Sequence, residues 1–392
     1  MSDVSLQGSG GLDRRIEAWI EHAAGRDDWG HVPLEEDFNA LALELFAYQY
    51  ERNRPYRRYC SRRGAEPGRL AHWSEIPPVP IDAFKELTLS CEPPGEAAAV
   101  FMTSGSTDPT RRGRNYHPHL RLYDASLRHN FARHFLPNRK RIRLLVLNAR
   151  SEELPNSSLA YFLGRLVDFH GAPGSGFFVR DGRLDLEGLL AVLREAEVDG
   201  EPIGLLGASF AYVHLLDALE EADLSFGLSE GSRVLDTGGF KGRSREVSAE
   251  TLRALFGERL GVPDPFCVNY YGMTEISTQY YDHGLRSHLI GEPAGPRHKT
   301  VPPWARISVV DPETREPLAA GERGLIVHHD LANRGSCLAV LTEDVGYLLP
   351  PGSIPESEPP GFVLLGRAKG TEARGCSVAL DELLAADRGP GV

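Results

Sequence analysis

Residues 141–149 read Arg-Ile-Arg-Leu-Leu-Val-Leu-Asn-Ala, and the apolar stretch Leu144–Leu147 at their centre predicts a strand. Comparable runs stand at 97–103 (AAAVFMT), 202–209 (PIGLLGAS), 232–239 (SRVLDTGG), 264–272 (DPFCVNYYG) and 323–330 (RGLIVHHD). Helical spacing occupies 119–135, 157–169, 186–197, 210–221 and 246–257. Strands alternating with helices predict an α/β architecture with a largely parallel sheet. Upstream, Leu12, Ile16, Trp19 and Ile20 form one stripe of a helix over 12–24, with residues 1–11 expected to fray. A second helix is expected over 34–61, opening on Glu35, Glu36 and Asp37. The prolines of IPPVPIDAF (76–84) exclude a helix there and predict a rigid extended connector.

The chain has 392 residues, 41% hydrophobic and 25% charged, enough to bury a sizeable core. Its net charge of −12 disfavours general nucleic-acid binding. The five cysteines are widely spaced and none forms a Cys-x-x-Cys pair, so neither a disulfide framework nor the usual structural zinc pattern is expected. The N-terminus is polar, and the apolar runs are too short to span a bilayer; a soluble cytoplasmic protein is the expectation. There is no internal repeat. PPGSIPESEPPG (350–361) reads as a loop or hinge.

Three segments carry candidate chemistry. Thr103-Ser104-Gly105-Ser106-Thr107 follows a strand and continues through Asp108 and Pro109 to Thr110, placing hydroxyls and backbone amides where phosphate oxygens would sit. Tyr270-Tyr271-Gly272-Met273-Thr274-Glu275 ends another strand; its aromatic suits a base, its hydroxyl a phosphate and its carboxylate Mg²⁺. Leu341-Thr342-Glu343-Asp344-Val345-Gly346 offers a carboxylate to ribose hydroxyls, and Gly366-Arg367-Ala368-Lys369 offers cations to phosphate. Singly, these segments are a polar turn, a strand end and surface charges beside turns. His117 and His119 read as solvated loop histidines, and His328-His329-Asp330 as a turn.

Together and in this order, the segments resemble the adenylate-forming superfamily of acyl-CoA synthetases, firefly-type luciferases and peptide-synthetase adenylation domains. The first is similar to its phosphate loop, Tyr271–Glu275 to its nucleotide-and-Mg²⁺ motif, Thr342–Gly346 to its ribose segment and Gly366-Arg367 to its hinge motif. More closely still, the chain resembles the LuxE-like acyl-protein synthetases, the fatty-acid–protein ligases of bacterial luminescence. Phe38, Leu41, Leu45-Phe46, Tyr48-Gln49, Asn53, Pro55-Tyr56, Ile76-Pro77, Pro80 and Phe84-Lys85 look like that family's lead segment. Gly238-Gly239-Phe240 with Lys241-Gly242 matches its middle, and Gly366 to Ser377 its acyl-acceptor end, with Cys376 near the terminus.

The resemblance implies a large adenylate-forming α/β domain over 1–349, with mixed and parallel sheets flanked by helices and a helical lead over 1–90, followed by a hinge and a short, truncated acyl-acceptor segment over 350–392. It implies ATP and Mg²⁺ as cofactors, with Glu275 on the metal. It implies nucleotide binding by Thr103, Ser104, Gly105, Ser106, Thr107, Tyr271, Gly272, Met273, Thr274 and Asp344. Glu275, Arg367, Lys369 and Cys376 would carry catalysis, and Gly238, Gly239 and Phe240 would line the substrate pocket. A carboxylic, fatty acid would become acyl-AMP, load Cys376 and pass to an acyl reductase or acyl-carrier partner. Arg374, Lys369 and Arg367 near Cys376 favour its thiolate. The other four cysteines read as inert.

Two departures bear on this. Asp108 and Arg111-Arg112 stand where most acyl-CoA synthetases have Gly and Lys, leaving Arg111, Arg112 or Arg114 to supply the positive charge. Only 25 residues follow Arg367, so the superfamily's mobile C-terminal domain is not expected. Two alternatives stay open: an acid–thiol ligase that loads CoA or a carrier phosphopantetheine, and a non-catalytic nucleotide-binding subunit.

Overall fold

The computed structural model describes residues 9–26, 29, 35–104, 111–238, 244–292, 295–355, 358–368, 380–381 and 383–385. The chain divides into two compact units: Met1–Ser126, Gly272–Thr278 and His298–Val392 form one, and Leu127–Tyr271 with Gln279–Arg297 the other.

The first unit opens with α1 (Ser9–Ala24), which already includes residues 9–11 that the sequence reading left frayed. The helix expected over 34–61 is two helices, α2 (Glu35–Arg52) and α3 (Arg54–Arg62). Asn53 breaks it. Its backbone is extended, its side chain accepts the Tyr56 amide at 3.3 Å, and Pro55 occupies the first turn of α3, where a missing N–H costs nothing. The proline-rich connector is only partly extended. Val79–Pro80 forms β1, and three residues on the chain enters a single turn, α4 (Ala83–Glu86). Strands β2 (Ala99–Met102) and β3 (Arg114–His117) pair antiparallel as a hairpin, and α5 (Arg121–Phe135) follows.

The second unit holds the alternating pattern. Its elements are β4 (Arg143–Leu147), α6 (Ser158–His170), β5 (Gly176–Phe177), the small hairpin β6 (Val179–Arg180) and β7 (Arg183–Leu184), α7 (Leu186–Asp199), β8 (Ile203–Ala208), α8 (Ser209–Glu221), β9 (Arg233–Thr237), α9 (Ala249–Leu260), β10 (Cys267–Tyr271), β11 (Tyr280–Tyr281) and α10 (Gly284–Ile290). The sheet order is β11-β10-β9-β8-β4-β5, parallel except for the β10–β11 pair. All six residues of β8 are buried, as expected of a strand covered on both faces. Ser157, Asp185 and Ser248 cap α6, α7 and α9 by accepting amides of their first turns. The Ser248 cap sets the start of α9 three residues later than the periodicity suggests.

The rest of the first unit departs from the parallel expectation. Strands β12 (Lys299–Thr300), β13 (Ala305–Val310), β14 (Gly324–Asp330), β15 (Ala339–Leu348) and β16 (Gly361–Arg367) form an antiparallel sheet in the order β12-β16-β15-β14-β13. Strand β1 adds in parallel to β15, pairing Val79 with Val340 and Pro80 with Leu341. The run 323–330 therefore belongs to this second, antiparallel sheet. β3, β13, β15 and β16 were not legible as strands. In β15, Thr342, Glu343, Asp344 and Gly346 interrupt the apolar pattern, and the backbone ladder alone defines the strand. Thr342–Gly346 and Gly366-Arg367 are accordingly strand residues rather than turns, with Asp344 paired to Arg367 and Val345 to Gly366. No helix among the described residues is long and apolar enough to cross a membrane.

Candidate functional site

The segment 272–278 has little regular structure, so its backbone polar groups need partners from elsewhere. Three buried side chains supply them. Asn115 on β3 donates to the Thr274 carbonyl at 3.0 Å, and Asn333 donates to the Glu275 carbonyl at 2.8 Å. Asp330, the last residue of β14, accepts the amides of Ser277 and Thr278 on one carboxylate oxygen at 2.8 and 2.7 Å. Its other oxygen accepts the Thr278 hydroxyl at 2.7 Å. Gln49 on α2 braces this framework, donating to the Asn333 carbonyl at 2.9 Å and accepting the Leu338 amide at 2.7 Å. Asn53 donates to the Ser336 carbonyl at 3.2 Å. Each of these side chains is almost wholly buried, where an unmet polar group is costly. Burial raises the Asp330 carboxyl even against its hydrogen bonds.

This framework positions the Glu275 carboxyl, which is 3% exposed. A Cβ built on Gly113 would lie 3.1 Å from Thr103 Cγ2, 3.3 Å from Glu275 Oε1 and 3.5 Å from Phe84 Cβ. Gly113 and Thr103 also exchange hydrogen bonds, amide to hydroxyl at 2.9 Å and amide to carbonyl at 3.0 Å. Thr103, Gly113 and Glu275 thus meet at one junction that only glycine leaves open. Burial pushes the Glu275 carboxyl up to about 7; its own backbone amide and the charges of Lys85 and Arg367 pull it down, and Asp344 pushes it up. Glu275 has no ion pair among the described residues.

Asp344 and Arg367 face each other across β15 and β16, with Arg367 Nε 3.8 Å from Asp344 Oδ1 and Nη1 4.0 Å from Glu343 Oε2. The Arg367 side chain is 73% exposed, so these pairs add little stability and leave its charge accessible. Thr342 Oγ1 donates to the Ile326 carbonyl and accepts the Asp344 amide at 3.0 Å, fixing the backbone beneath Asp344. Burial and Asp82 raise the Glu343 carboxyl.

In the second unit, Tyr271 closes β10, its ring 6.1 Å from that of Tyr280. Gly238 follows β9 directly. Just before it, Asp236 accepts the Ser209 hydroxyl at 2.7 Å and the Asn269 amide at 3.1 Å. Ser104 follows Thr103 immediately. Gly105, Ser106, Thr107, Gly239, Phe240, Lys369 and Cys376 lie outside the described residues.

Two expectations for histidines change. His117 is a buried residue of β3 rather than a solvated loop residue, its imidazole held down to about 3 by burial, and His119 Nε2 lies 2.7 Å from Asp13 Oδ2. His328 and His329 are buried within β14, each also held down to about 3, mainly by burial. The clamp residues Asn115, Asp330 and Asn333 were missed. The one signal in the sequence was an Asp closing an apolar strand, which reads equally well as a turn.

Comparison with known proteins adds the family. The chain matches the family described as acyl-protein synthetase, LuxE, over residues 28–385. It is 23% identical over 370 residues to the long-chain-fatty-acid–luciferin-component ligase of Aliivibrio fischeri, covering 91% of each chain. The ligase of the same description from Vibrio harveyi is 21% identical over 369 residues, covering 93% of this chain and 92% of that one. Among solved structures, 2-hydroxyisobutyryl-CoA ligase in complex with 2-HIB-AMP and CoA in its thioesterification state superimposes with a TM-score of 0.65 at 14% identity, covering 94% of this chain and 73% of that chain. Its open conformation gives 0.62 at 14% identity over 84% of this chain and 69% of that one. That likeness establishes the adenylate-forming fold. With its match running from residue 28 to residue 385, this chain belongs to the LuxE family of acyl-protein synthetases, ligases built on that fold.

Proposed function

We propose that the chain activates a fatty acid with ATP and carries the acyl group on its own thiol to a protein partner. The observation that carries this reading is the buried Glu275 carboxyl beside Thr103, held in no ion pair among the described residues, in a chain whose curated relatives are named for ligating long-chain fatty acids. A carboxyl raised by burial, and held in no ion pair among the described residues, fits a divalent metal as its counter-charge. Bound Mg²⁺ would neutralise charge on the phosphates and on the departing pyrophosphate.

In the first half-reaction an oxygen of the fatty carboxylate attacks the α-phosphorus of ATP. The bond from that phosphorus to the bridging oxygen breaks, and pyrophosphate leaves with the electron pair. Thr103 and Ser104 would donate hydroxyls to phosphate, Asp344 would accept from ribose, and Arg367 would place positive charge nearby. In the second half-reaction the Cys376 thiolate attacks the acyl carbon. A thioester forms and AMP leaves with its oxygen. A nucleophile on the partner, such as a thiol of an acyl reductase, would then displace Cys376.

Four of the five cysteines make poor acceptors. Cys60, Cys91, Cys267 and Cys337 are all buried. Burial pushes the Cys60 and Cys267 thiols up to about 12 and the other two well up as well. This supports Cys376 as the acceptor.

The test begins with ATP–pyrophosphate exchange across acids of graded chain length. Labelled acid then goes to the wild type and to Cys376→Ala. The expected outcome is acid-dependent exchange in both proteins and hydroxylamine-labile label only in the wild type. Retained label in the variant would exclude Cys376; acyl-CoA formation by it would favour a soluble thiol acceptor.

A further inference from the structure

The run Thr103–Arg114 holds three arginines and no lysine, which raises the question of which cation meets the β- and γ-phosphates. Arg111 carries its guanidinium on the carboxylate of Glu86, on α4. Arg114 pairs with Met102 in the β2–β3 ladder, and the Thr103–Gly113 hydrogen bonds extend that ladder by one step. Side chains alternate across a strand. Asn115 reaches Thr274, and the Cβ direction of Gly113 meets Thr103 and Glu275, so Arg114 projects from the opposite face.

The short turn α4 approaches the junction from the other side. Phe84 Cβ lies 3.5 Å from the Cβ position of Gly113, and the next residue is Lys85. Its ammonium rests on Asp82 Oδ1 at 2.6 Å, a partner one helical turn back, with the lysine side chain 38% exposed. Its charge is felt at both Glu275 and Glu343. Lys85 is therefore a partly exposed cation on the turn that meets the Gly113 junction, held by a pair that contributes little and yields to a stronger anion.

We propose that Lys85, carried by α4, is the residue that binds the terminal phosphoryl oxygens of ATP and the departing pyrophosphate, in place of a lysine within the phosphate loop. The assignment rests on the reading of the site given above.

The test compares nucleotide binding without acid, so that no turnover occurs. ATP and AMP affinities are measured by calorimetry for the wild type, Lys85→Met and Lys85→Arg, with the pyrophosphate KM in exchange as a second readout. Lys85→Met is expected to weaken ATP by roughly ten- to hundred-fold, the worth of one charge-assisted hydrogen bond, and AMP by less than about three-fold. Lys85→Arg should recover most of the loss. A Lys85→Met protein with wild-type ATP affinity, or one losing ATP and AMP equally, overturns the assignment while leaving the site reading intact. A wild type that binds neither nucleotide removes the site reading itself, and Lys85 with it.

Discussion

Asn333 Nδ2 lies 2.8 Å from the Glu275 carbonyl oxygen, and the same nitrogen reaches the Cys337 carbonyl at 2.7 Å. One side-chain amide therefore ties the segment bearing Glu275 to the loop after β14. Truncation in Asn333→Ala strands both carbonyls in a buried setting. The expected loss is about 1–3 kcal/mol of unfolding free energy for each group left unmet, read as a lower urea midpoint. Asn333→Asp removes the donor while keeping the shape, and should fall close to the alanine variant.

Glu275 sets a pH dependence with a definite sign. Its folded carboxyl is raised from 4.5 to about 7, so the protonated form is the one folding favours. That contribution is fully present below pH 4.5 and is lost as pH rises through about 7, each unit of the shift being worth ~1.4 kcal/mol. Glu275→Gln should remove this decline from a denaturation series between pH 4.5 and 8, while the wild type keeps it.

Divalent-cation binding runs the other way, because it needs the carboxylate. Mg²⁺-dependent ATP affinity should fall by about ten-fold per unit below pH 7 and level off above it. Calorimetry across pH reads this directly. A flat profile would show that Glu275 does not ionise on binding.

At Gly113 a single methyl group would press on Thr103 Cγ2 and Glu275 Oε1. Gly113→Ala is expected to cost about 1–3 kcal/mol of stability, as an overpacked site does. It should also weaken nucleotide binding by displacing the Glu275 carboxyl. Melting temperature and ATP affinity, measured on the same sample, check both halves.

Thiol chemistry separates the cysteines. With Cys60, Cys91, Cys267 and Cys337 buried and their thiols raised, the native protein should give one rapid equivalent with a thiol reagent and five after denaturation. Cys376→Ala should abolish the rapid equivalent. More than one fast thiol in the native wild type would reopen the choice of acceptor.

Local sequence pattern was sufficient wherever a rule works within a few residues. The alternation of apolar runs with helical spacing located β4, β8, β9 and β10 and the helices between them, because each strand is short, apolar and followed by a turn. The contiguous Tyr271–Glu275 motif was quotable for the same reason. The split between α2 and α3 at Asn53 was present in the letters too, in a capping side chain followed two places on by proline.

What the letters did not contain was partnership at a distance. The antiparallel sheet of β12 to β16 depends on backbone ladders between strands whose own side chains, Thr342, Glu343 and Asp344 among them, mix polar with apolar. The side chains that hold the Glu275 segment come from 52 to 159 positions away, and Gln49 braces Asn333 across 284. A buried polar group is stable only when it meets its complement, and folding alone determines which complement it meets. The sequence by itself therefore determined which short segments carry the chemistry. Only the tertiary structure decided that Glu275 is buried beside Thr103, that its carboxyl is raised, and that the turn bearing Lys85 meets the same junction.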